Sequence, residues 1–101
     1  MTRPALILLP LLAACASPAP DYFGAQRHEV TRSGLDFTVF VQGSEAEVVR
    51  MGYLARADRD RVPALMAEAA GAASGCTAIA GSMTTKIPGD TGVARFDLDC
   101  G

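Results

Sequence analysis

Residues 4–14 read Pro-Ala-Leu-Ile-Leu-Leu-Pro-Leu-Leu-Ala-Ala, without a charge, directly after Arg3. This run decides how much of the chain is left to fold. At about 11 residues it is well short of the ~20 that cross a bilayer as a helix. A positive residue, an apolar stretch and then small residues (Ala13, Ala14) follow the order of a secretory signal peptide. Setting residues 1–14 apart leaves 87 of the 101, enough for one domain. A domain of that size buries roughly 60–65% of its unfolded surface, so its core is modest. Exported domains this small often carry a disulfide for that reason.

The run ends in Leu12-Ala13-Ala14-Cys15. This resembles the lipobox of bacterial lipoproteins: Leu three positions before a Cys, with small residues between. The resemblance covers the first 15 residues. It implies a diacylglyceryl group on the Cys15 thiol, cleavage before Cys15, and acylation of the new amine, commonly as palmitate. Two or more acyl chains hold a protein at a membrane, where one holds it only marginally. The alternative is an ordinary signal peptide cut after Ala16 or Ser17, with Cys15 discarded. Ala16 rather than Asp follows the cysteine, which resembles an outer-membrane address. Ser17-Pro18-Ala19-Pro20 reads as an extended tether, since proline favours polyproline II. The expected organisation is a signal peptide over 1–14, a lipidated tether over 15–24 and a domain over 25–101.

Without Arg3, eight basic residues stand against eleven acidic ones. An acidic balance argues against nucleic acid, whose phosphates want a basic face. It equally argues against electrostatic docking on anionic lipid, so membrane attachment falls to the covalent anchor.

The folded part predicts strands, one helix, then strands. Gln26–Arg32 is polar, with His28 and Val30 on one face, and suits an edge strand. Ser33-Gly34 marks a turn. In 35–42, Leu35, Phe37, Val39 and Val41 alternate with Asp36, Thr38, Phe40 and Gln42, the period of a half-buried strand. Phe40 is the exception on the polar face. A three-residue loop, Gly43-Ser44-Glu45, then predicts a strand over 46–54 with Val39 opposite Val49, Phe37 opposite Met51 and Leu35 opposite Tyr53. A two-residue loop would set Phe37 against Arg50, so the hydrophobic match favours the longer one.

Val62, Leu65, Met66, Ala69, Ala70 and Ala73 form an amphipathic helical stripe. Asp60 as N-cap places Pro63 in the first turn, where proline is tolerated, and Gly75 suits the left-handed end. The expected helix runs over 61–74. Strands over 77–84 and 93–100 complete a βββαββ order. The expected fold is α+β: a two-layer sandwich of one mostly antiparallel sheet with the helix on one face. If the last two strands are neighbours, Cys76 falls opposite Cys100 and Thr84 opposite Gly92. An even pair of thiols in an oxidising compartment reads as a disulfide, and no Cys-x-x-Cys spacing points to redox work.

The chemistry-bearing residues are sparse. His28 is the one histidine, and Ser44, Ser74 and Ser82 lie in no nucleophile-elbow sequence. No zinc set of usual composition can be assembled from one His and a paired Cys76 and Cys100. Gly89-Asp90-Thr91-Gly92 lacks the Gly-Lys-Ser/Thr ending of a phosphate loop. Asp97 and Asp99 share a strand face, and Arg56, Asp58, Arg59, Asp60 and Arg61 alternate in sign; both read as solvated surface. Phe40, Tyr22 and Phe23 have two readings. Together they mark an interaction surface, or the 18–24 segment folds back and covers Phe40. No catalytic residue, metal or cofactor is predicted, and the chain is not expected to be an enzyme. The expected role is a periplasm-facing lipoprotein that assists envelope structure or assembly by binding another envelope protein. The alternative is a small-ligand or peptide binder, with the site between sheet and helix.

Overall fold

The computed structural model describes residues 24–101. Its elements, in chain order, are β1 (Gln26–Arg32), β2 (Leu35–Gln42), β3 (Glu45–Met51), a 3-10 turn (Arg56–Arg61), α1 (Val62–Ser74), β4 (Thr77–Ala78) and β5 (Val93–Asp99). The sheet order is β1-β2-β3-β5-β4, with every pairing antiparallel. The described residues therefore form an α+β fold, one sheet with one helix, and the polar first strand lies at a sheet edge as its composition predicts.

The inner face of the sheet carries Phe37, Val39, Ala46, Val48, Ala94, Phe96 and Leu98, all buried against α1. The helix contributes Val62, Leu65, Met66, Ala69 and Ala70, five of the six residues of the predicted stripe, and Ala73 packs at its edge. Ala69 and Ala70 have no exposed surface, so the small residues bring the helix close to the strands. Each fully buried Val, Leu, Met or Phe here contributes about 1.5–3 kcal/mol. Gly75 ends α1 at φ 74°, its N–H donating to the Gly71 carbonyl, which only a residue free of Cβ strain adopts readily.

Four local expectations are corrected. The β2–β3 turn has two residues, not three: Gln42 pairs with Glu45, so Val39 faces Val48 and Phe37 faces Arg50. Gly43 at φ 61° supplies the positive angle that a tight hairpin needs at its first central position. Arg50 is accommodated because its guanidinium reaches past the sheet, donating from Nε to the Thr91 carbonyl (2.9 Å) and from Nη1 to the Gly52 carbonyl (2.8 Å). The strand stops at Met51, and Tyr53 lies beyond it, 90% exposed.

Asp60 is not the cap. It lies within the 3-10 turn, and α1 starts at Val62 with Arg61 as N-cap and no side-chain cap bond. The predicted 77–84 strand is only Thr77–Ala78, broken by a turn in which the Ser82 N–H donates to the Ile79 carbonyl (3.1 Å). Ser82 Oγ then accepts from the Asp97 N–H (3.0 Å), a side chain standing in for the backbone. Pairing resumes at Thr84, which faces Arg95 rather than Gly92. Before this break the register is the predicted one, with Thr77 opposite Asp99, and Cys76 and Cys100 are disulfide-bonded with Cα atoms 4.5 Å apart.

Candidate functional site

The face of the sheet opposite α1 is half covered and half open. Two cross-strand rows build it. Arg27, Phe40, Glu47 and Arg95 form one, and Glu29, Thr38, Val49 and Val93 the next. Phe40 is only 4% exposed, with Arg27 and Glu47 beside it in its row and the partly buried apolar side chains of Ala25, Val49 and Met51 packed against it. Beside it, Glu47 is buried and its Oε2 lies 3.4 Å from Nε of Arg95, a cross-strand ion pair. Thr38 is buried as well.

Toward β5 the face opens into a cleft of about 410 Å³. Val49 and Val93 form its floor, the Thr84–Ile87 strip its wall, and Glu47, Lys86, Asp90 and Arg95 its polar rim. The rim loop is held by its own bonds. The Asp90 N–H donates to the Ile87 carbonyl (3.0 Å), with Gly89 at φ 76°, and Asp90 Oδ1 accepts from the Gly92 N–H (2.7 Å). The Gly89–Gly92 sequence is thus a closed strand connection, not a cradle of amides aimed at an anion. A smaller hollow of about 190 Å³ continues past Thr84 to Ser82, Asp97 and Glu45. Ile87 and Val93 of the cleft are more than a third exposed, as are Ile79 and Met83 earlier on the same segment as Ile87. Both hollows lie on the side of the sheet away from α1, not between sheet and helix, where the ligand-binding alternative placed its site.

The residues singled out in the sequence fall as follows. Cys76 and Cys100 are joined. Phe40 is buried, so its ring is not free surface. Cys15, Tyr22 and Phe23 lie outside the described residues. His28 is half-buried on edge strand β1, opposite Val39. Ser74 and Ser82 are tied to the backbone, donating to the Ala70 and Ile79 carbonyls at 2.7 Å each. Asp58 pairs with Arg61 (3.0 Å) inside the 3-10 turn. Among the described residues, no three His, Cys, Asp or Glu side chains are grouped to hold a metal ion, and no helix is long and apolar enough to cross a membrane.

The cleft residues Val49, Val93 and Ile87 were not singled out in the sequence. Two signals pointed there: the adjacent pair Val48-Val49, which puts an apolar residue on each face of β3, and Phe40 on the polar face of β2. Both say that the second face of the sheet is partly apolar. Comparison of the chain with family models, with curated proteins and with solved structures gives no match.

Proposed function

We propose that the chain is a membrane-tethered lipoprotein facing the periplasm, at the outer membrane, and that its domain is an accessory that binds another envelope protein during envelope structure or assembly. The observation that carries this is Leu12-Ala13-Ala14-Cys15, with the apolar run before it. The Cys76–Cys100 disulfide is in keeping with an oxidising compartment. The partner surface we assign is the exposed side of the 79–87 segment, which carries Ile79, Met83 and Ile87. The reading assigns no catalytic step, no cofactor and no nucleic-acid partner.

The test is in-cell cross-linking of the tagged protein, followed by identification of what co-purifies. One dominant envelope protein, lost on Ile87→Asp, supports the reading. Ile87 is 66% exposed, so this change leaves the core intact, which Phe40→Asp would not. A preparation without partners, and an unchanged envelope on deletion, would sink it. A second reading is a peptide or small-ligand binder, favoured by the cleft volume, which is within the range of ligand sites. Thermal-shift screening that finds no stabilising ligand counts against it.

A further inference from the structure

We propose that β1 is a self-association edge: two copies of the chain pair antiparallel through β1 about a two-fold axis at His28, giving one continuous sheet with both α1 helices on the same side. Among the described residues, β1 ends the sheet order, with β2 on one side only. It is seven residues long, holds unbroken register with β2, and contains neither a proline nor a bulge. The other end of the sheet differs, since β4 has two residues and passes into a turn. A long regular edge without such devices is a template for another strand.

The alternation of backbone bonds fixes which groups of β1 face outward. Arg32 and Leu35 close a two-residue turn in which Ser33 and Gly34 have φ 52° and 82°. Such a closing pair exchanges both backbone bonds, and so do Val30–Phe37, His28–Val39 and Gln26–Val41 behind it. The far side of the sheet keeps the same phase. There the Arg50 N–H donates to the Gly92 carbonyl and the Leu98 N–H to the Ser44 carbonyl, which leaves the odd-numbered residues of β3 for β2, and those of β2 for β1. The N–H and C=O of Arg27, Glu29 and Thr31 therefore point away from the sheet. The Thr31 carbonyl accepts from Arg32 Nη1 (3.0 Å), so the open stretch is Arg27 to Glu29.

Charge selects the register. Facing residues must both point outward, which restricts where the axis can lie. An axis through Arg27 sets that residue opposite its own copy, and an axis through Glu29 does the same for Glu29; both juxtapose like charges. An axis at Gln26 sets Arg27 opposite Ala25, and one at Val30 sets it opposite Ser33, so the charges go unmatched. An axis at His28 sets each Arg27 opposite Glu29 of the second copy, and each of these two pairs exchanges both backbone bonds. Within one chain Arg27 Nη2 lies 2.9 Å from Glu29 Oε2, on the face opposite α1, so the joined edge carries four charges of alternating sign. On the α1 face the same axis brings the two His28 residues together as a pair without backbone bonds, with Cα atoms about 4.5 Å apart. The pairing does not rest on the lipoprotein reading.

The test is sedimentation of the protein purified from its cells, in density-matched detergent, over a range of concentrations. The parent should show a monomer–dimer equilibrium. Arg27→Glu and Glu29→Arg each set like charges across the axis and should weaken the dimer by about tenfold or more. Mixed in equal amounts, the two variants should recover the parent's dimer, because the acidic edge of one meets the basic edge of the other. A role confined to the monomer does not produce that recovery. His28→Cys should form a disulfide between copies on oxidation, since the separation across the axis is one a disulfide spans. Gln26→Cys and Val30→Cys, each facing the other position rather than its own copy, should not. A parent that stays monomeric at about 1 mM overturns the proposal. So does a dimer that survives both charge reversals, a mixture that does not restore it, or cross-linking through Val30→Cys in preference to His28→Cys. If either charge variant loses the parent's circular dichroism spectrum, the cysteine series decides alone.

Discussion

Thr38 sits 1% exposed on β2, and among the described residues its Oγ1 has no hydrogen-bond partner. A buried hydroxyl without a partner forfeits its hydration with nothing in return. Thr38→Val keeps the shape and removes that penalty, so it should be neutral or stabilising by up to about 1 kcal/mol in urea denaturation. Phe37, next to Thr38 in β2 and on the opposite face, is the contrasting case. It is 1% exposed among helix and sheet residues, and Phe37→Ala should cost about 3–5 kcal/mol, enough to unfold much of a domain this small. Tyr53→Ala, at 90% exposure, should change stability by less than about 0.5 kcal/mol in the same assay.

At the scale of elements, the disulfide joins the end of α1 to the end of β5. Ser74 Oγ accepts from the Cys76 N–H (3.0 Å), and the Gly75 turn directs Cys76 back to the sheet, so the helix end aims one sulfur and the ladder aims the other. The two cysteines are 24 residues apart. In the chain-entropy model, closing such a loop stabilises by roughly 3 kcal/mol. Cys76→Ser with Cys100→Ser, or reduction, should lower the denaturation free energy by about that amount without altering the spectrum of the folded state. Gly75→Ala should cost about 1 kcal/mol or more, since its φ of 74° is unfavourable for any Cβ. Thermal unfolding of both variants against the parent checks these.

For the whole molecule, the faces have different duties. One face of the sheet is closed by α1 and makes the core; the other is open toward β5 and carries the cleft. The expected mass of the protein isolated from its cells is that of residues 15–101 plus acyl groups, two mass units lighter than the reduced form for one disulfide. Cys15→Ser should remove the acyl mass and release the protein from the membrane fraction. Intact mass of Met1 to Gly101, or cleavage after Ala16 or Ser17, would exclude the lipid anchor.

The sequence by itself determined the elements whose causes are local. Period two in 35–42, the Ser33-Gly34 turn, the stripe from Val62 to Ala73 and the left-handed Gly75 each act within a few residues, and each element lies where that pattern places it. The order along the sheet, the β2–β3 register and the break after Ala78 were decided by tertiary structure. Hydrophobic matching favoured Phe37 opposite Met51, but matching strand by strand could not count the carbonyls of Thr91 and Gly52 that satisfy Arg50 from a distant loop. It also treated one face as solvent, whereas Phe40, Val49 and Met51 pack on that face. The cleft was illegible for the same reason. Its floor belongs to β3 and β5, which are far apart in the chain, and its wall is the Thr84–Ile87 strip, where pairing with β5 resumes after Ser82 has replaced a ladder bond. Such bonds join residues with no sequence relation, and only the folded chain brings them together.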